Sequence, residues 1–115
     1  MPDIEICQFQ GEGYMPVLSS DGWRVAVVNS CERLLESNIA RIERHFETDE
    51  VFVLLRGEAT LFIGEERKRY SMESGKVYNV KRGVWHCLAL KPDSGLLVIE
   101  NDNTSDNNTE RVYFK

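Results

Sequence analysis

The chain has 115 residues, of which 42% are hydrophobic and 29% charged, the make-up of one globular domain around a single core. The apolar content excludes wholesale disorder, and the length excludes two substantial domains. A net charge of −5 argues against a nucleic-acid partner, which requires a clustered basic face. The basic clusters Glu66-Arg67-Lys68-Arg69 and Lys81-Arg82 are short and read as solvated turns. Nothing points to a membrane. Met1-Pro2-Asp3-Ile4-Glu5 lacks the features of an export signal, and the longest apolar runs, Val25 to Val28 and Val51 to Leu55, are far too short to span. Cys7, Cys31 and Cys87 form no CxxC pair, so a reducing, cytoplasmic setting is expected.

In chain order the sequence predicts an all-β domain of short strands separated by turn signals. Gly11-Glu12-Gly13 reads as a flexible lead-in, and Trp23 to Val28 as a β-branched strand after the turn pair Asp21-Gly22. Cys31 to Ser37 reads as a single helical turn or an irregular connection, with Ser30 as its cap. Asn38 to Glu47 alternates imperfectly. Val51 to Leu55 is apolar throughout, the pattern of a strand covered on both faces. Strands follow at Ala59 to Ile63, Lys68 to Met72, Val77 to Val80, Val84 to Leu90 and Leu96 to Glu100. The aromatic residues Trp23, Phe52, Tyr70, Tyr78 and Trp85 are expected in the core or the pocket wall. Residues 101–110, rich in Asn, Asp, Ser and Thr, are expected to form a mobile loop. Val112-Tyr113-Phe114 then returns as an edge strand or covers a neighbouring subunit.

Two histidines narrow the search for chemistry. If Arg41 to Glu47 is a strand, Arg41, Glu43, His45 and Glu47 share one face. Glu50 opens the next strand, where Phe52 shares its parity and lines the interior. His86 follows the turn glycine Gly83. Imidazoles with carboxylates are a plausible ligand set for manganese, iron, zinc or nickel. The acids Glu43, Glu47, Asp49 and Glu50 crowd together, which calls for a compensating positive charge. A metal ion supplies one; so does Arg41, in which case the cluster is a salt-bridged wall. Cys87 alternates away from His86 and has no expected chemical role.

The segment Glu43-x-His45-x4-Glu50-x6-Gly57 resembles the first cupin motif, HxH followed by Glu and Gly. Gly75-x5-Lys81-x-Gly83-xx-His86 resembles the second, Gx5PxGxxH. Motif 1 covers residues 43–57 and motif 2 residues 75–86, with 17 residues between them, a spacing typical of cupins. The resemblance implies a single jelly-roll β-barrel domain over 1–115, with any metal held inside the barrel. His45, Glu50 and His86 match three of the family's ligands, and Glu43 stands where the first histidine belongs. Lys81 replaces the usual proline. The implied metal set is Glu43, His45, Glu50 and His86, with Arg41, Glu47 and Phe52 contacting substrate. Two glutamates favour a hard divalent ion such as manganese or iron, with zinc and nickel also admissible. The function implied is binding of a small polar metabolite with a divalent metal as Lewis acid, in isomerase, epimerase or lyase-like chemistry. The alternative is a metal-free, non-catalytic binding or dimeric interaction cupin. A homodimer is expected under either.

Overall fold

The computed structural model describes residues 3–115. Ten strands form two five-stranded antiparallel sheets. They are β1 (Gly13–Ser20), β2 (Trp23–Asn29), β3 (Arg41–His45), β4 (Glu50–Arg56) and β5 (Ala59–Ile63), then β6 (Lys68–Ser71), β7 (Val77–Val80), β8 (His86–Leu90), β9 (Gly95–Asn101) and β10 (Thr109–Tyr113). The first sheet has the order β1-β2-β9-β4-β7 and the second β10-β3-β8-β5-β6. Their inner faces close on one core, in which Phe52, Leu61, Leu90, Leu96 and Val98 are almost fully buried. No helix among the described residues is long and apolar enough to cross a membrane.

Alternation explains which residues face inward. On β4, Phe52 and Leu54 enter the core, as their parity with Glu50 requires. Val51, Val53 and Leu55 take the opposite face, so this strand is buried on one side only, contrary to the expectation from its apolar run. Their neighbours there are Val77 on β7 and Leu97 and Ile99 on β9, with Val25 and Val27 beyond on β2. None of these residues belongs to the core. Gly57 is where the turn after β4 meets the turn before β9. Its φ is +76°, and a Cβ there would lie 2.8 Å from the Ser94 Cα, so only glycine fits.

Four expectations change. Gly13 opens β1, an edge strand hidden in the sequence because Pro16 and a bulge before Leu18 break its alternation. Residues 101–110 have a defined arrangement: Ser105 caps a 3₁₀ turn at Asp106–Asn108, and Thr109 and Glu110 already belong to β10. The polar side chains that suggested mobility satisfy the turn's own backbone, as Asn108 Oδ1 does for the Ser105 N–H at 2.9 Å. β10 is an edge strand paired with β3. Cys31 to Asn38 forms two short 3₁₀ turns, but Ser30 does not cap them; its hydroxyl donates to the Leu90 carbonyl instead. Trp23 and Tyr70 lie outside the core, 45% and 41% exposed.

Candidate metal and ligand site

A cavity of about 440 Å³, the scale of a small-molecule site, opens at one end of the barrel. It lies where β4 and β8 begin and β9 ends, with β3 and β10 beside them. Cross-strand register assembles it. Glu43 sits opposite His86 on β8 and opposite Arg111 on β10, while Thr109 sits opposite His45.

Glu50 is the centre. Its Oε1 lies 2.9 Å from His86 Nε2 and 3.2 Å from His45 Nε2, with all three side chains buried. The far side of each ring is held from behind. His86 Nδ1 lies 3.0 Å from the Val84 carbonyl, and His45 Nδ1 2.8 Å from the Thr109 hydroxyl. A carbonyl only accepts, so His86 carries its hydrogen on Nδ1. In the neutral ring that leaves the Nε2 lone pair aimed at a carboxylate oxygen, an arrangement that requires a cation, either a proton or a metal. His45 Nε2 is buried and lacks any hydrogen bond of acceptable direction. Outward-anchored Nδ1 atoms with converging Nε2 atoms are how metal-binding histidines are held. The donor set therefore fits a divalent ion.

Two more carboxylates flank this centre. Ligand atoms of Glu43, His45 and His86 lie within 4.8 Å of one another, as do those of His45, Glu50 and Glu100. Glu43 keeps its place through Arg111, whose Nε donates to Oε2 at 3.0 Å and whose Nη1 reaches Asp106 at 2.7 Å. Arg111, and not Arg41, is thus the positive charge beside Glu43. Glu100 accepts from the Tyr14 hydroxyl at 2.6 Å and from Arg24 Nη2 at 2.9 Å.

The charges are strongly biased. Burial pushes the Glu50 carboxyl up, but the facing edges of His45 and His86 outweigh it and hold it well below the usual carboxylate range. His86 is pulled down by burial and raised further by Glu50, for a net rise. Glu100 is pushed up by burial and by the neighbouring Glu50. Two carboxylates driven in opposite directions can divide the holding and releasing of a proton between them. Burial also raises the Cys87 thiol to about 11, which keeps it un-ionised and unreactive.

Of the residues named from sequence, Glu43, His45, Glu50 and His86 meet at this cavity, and Arg41 and Phe52 line it. Glu47 does not. β3 ends at His45, alternation stops there, and Glu47 is exposed, accepting from Asn103 Nδ2 at 3.0 Å. Asp49 also turns outward, where it accepts the Arg82 N–H at 2.7 Å. Tyr14, Arg24, Glu100 and Arg111 escaped the sequence reading. Parity with Leu96 and Val98 would have pointed Glu100 inward, and parity with Ala26 and Val28 would have done so for Arg24. Arg111 needed the β10–β3 register, which no local pattern carries.

Neither family models nor curated sequences yield a match to this chain. Solved structures do. A cupin-2 domain protein from Shewanella frigidimarina superposes with a TM-score of 0.63 at 18% identity, covering 81% of this chain and 84% of that one. Streptomyces Pac13, described as a nucleoside dehydratase and solved with uridine, gives 0.66 at 7% identity, covering 92% and 83%. The Fe(II) form of HppE gives 0.62 at 18% identity, covering 88% of this chain and 62% of that one. These likenesses show that the chain has the cupin β-barrel fold.

Proposed function

We propose that this protein binds a small polar metabolite in its barrel and uses a divalent metal on His45, Glu50 and His86, with Glu43 as a further ligand. The observation that carries the reading is the convergence of both Nε2 atoms on one Glu50 oxygen, with His86 fixed in the tautomer that leaves Nε2 free to coordinate. Manganese or iron suits the two-carboxylate set, with zinc and nickel admissible. The iron in one structural neighbour and the small ligand in another are in keeping with such a site. When bound, the metal would act as a Lewis acid toward a substrate oxygen, the chemistry of isomerases, epimerases and lyases.

The chain's own residues do the rest. Phe52, 2% exposed and edge-on to His86 at 6.1 Å, forms the apolar floor that keeps water from the inner side. Arg111 holds Glu43 in place. Glu100, which keeps a proton more readily than an ordinary carboxylate, stands beside the centre to pass one, with Tyr14 and Arg24 orienting it. Arg41, on the cavity wall, meets the far part of the substrate. Free cysteines at 7, 31 and 87 suit a reducing, cytoplasmic setting.

The test is the metal content of protein purified without a histidine tag. One equivalent is expected, with loss in both His45→Ala and His86→Ala. Absence of metal after incubation with manganese, iron, nickel and zinc would leave a metal-free binding pocket in its place.

The outer face of the first sheet supports a homodimer. Val25, Val27, Val51, Val53, Leu97 and Ile99 form an aliphatic patch on the three neighbouring strands β2, β9 and β4. Sedimentation should give twice the chain mass, and Val53→Lys should give monomers.

A further inference from the structure

The pocket lining holds four carboxylates, Glu43, Glu50, Glu100 and Asp106, and four guanidiniums, those of Arg24, Arg33, Arg41 and Arg111. Every carboxylate is already matched: Glu43 and Asp106 by Arg111, Glu100 by Arg24, and Glu50 by the two histidines. Arg33 and Arg41 are left over. Among the described residues neither has a carboxylate partner; Arg41 donates to the Tyr113 hydroxyl at 3.3 Å, with its guanidinium 6.0 Å from the centre of that ring. Both belong to the wall nearest the 3₁₀ turns and the start of β3, and Leu34, Ile39 and Leu88 line the same cavity.

We infer that Arg33 and Arg41 form an oxyanion subsite, so that the metabolite carries a carboxylate or phosphate at one end. Guanidinium is suited to this because its planar donors match two oxygens at once. The aliphatic residues receive the hydrocarbon body, and the polar far end reaches His45, Glu50 and His86. Arg41 and His45 are same-face positions four residues apart on one strand, which limits such a ligand to a length of about 13 Å. The inference rests on the pocket reading above but does not depend on the metal.

The experiment uses metal-stripped full-length protein at constant ionic strength. Benzoate, glutarate and glucose 6-phosphate are titrated calorimetrically against their neutral counterparts benzamide, glutaramide and glucose. At least one oxyanion should bind while its neutral counterpart does not, and which one does decides between carboxylate and phosphate. Arg33→Gln and Arg41→Gln should each weaken that binding about tenfold, the usual loss for one charge-assisted hydrogen bond, and the double variant should abolish it. Arg33 is exposed and Arg41 half-buried, and an unchanged melting temperature would show that the variants fold. Equal binding by wild type and the double variant, or no oxyanion binding by wild type, overturns the subsite. Metal content measured on the same double variant should stay at the wild-type level, so loss of the subsite and loss of the metal reading are told apart.

Discussion

The two ends of the barrel are built from the same inward positions of the same strands. Reading β4 from the mouth inward gives Glu50, Phe52, Leu54; β9 gives Glu100, Val98, Leu96; β2 gives Arg24, Ala26, Val28; and β8 gives His86, Leu88, Leu90. Each strand starts charged and ends aliphatic. At the closed end, each buried side chain adds about 1.5–3 kcal/mol of hydrophobic stabilisation. At the open end burial works against the charges, and every carboxylate there is held by a partner because an unpaired buried charge is too costly to keep. One end therefore carries stability and the other carries chemistry, within a single set of strands.

The division can be broken from either side. The largest effect is expected from Leu96→Ala, 0% exposed at the closed end. It should cost about 3 kcal/mol in urea unfolding and leave the metal content of the folded protein unchanged. A change in metal content would mean that the two ends are not separable. Arg111→Met tests the opposite case. It removes the charge that positions Glu43 and should weaken metal affinity by about 10- to 100-fold, the range for groups that orient a ligand, with little change in unfolding free energy.

The smallest effect concerns pH. In metal-free protein Glu50 is depressed below its ordinary 4.5, so its contribution is present above that value and lost only in acid. His86 is raised above 6.5, so its contribution is complete below that pH and is lost as the ring deprotonates. The raised Glu100 carboxyl acts in the same direction as His86. The melting temperature of metal-free protein should therefore fall as pH rises past about 6.5. With metal bound the slope should reverse, because the ion competes with protons for the same atoms. Parallel slopes with and without manganese would argue against coordination by these residues.

Much of this was legible in the residues. Turn glycines and short apolar runs marked most of the strands, and the resemblance of Glu43, His45, Glu50, Gly57 and His86 to the cupin motifs implied the barrel. What stayed hidden had physical reasons. β1 lacks alternation because an edge strand with a bulge need not bury one face. Glu47 was misplaced because alternation was extended beyond the residue where β3 stops. The polar stretch 101–110 was expected to be mobile because composition reports how little a segment buries, and not that its side chains can satisfy its own turns.

The sequence alone determined the strand periodicity, the turns that demand glycine and the residue types available for a site, because these depend on spacing along a few adjacent positions. Tertiary structure decided that Arg111 and not Arg41 stands beside Glu43, that Glu100 joins Glu50, and that Arg33 and Arg41 remain without carboxylate partners. Those outcomes depend on register between strands separated by tens of residues, and register is set by how two whole faces bury together and not by any local pattern.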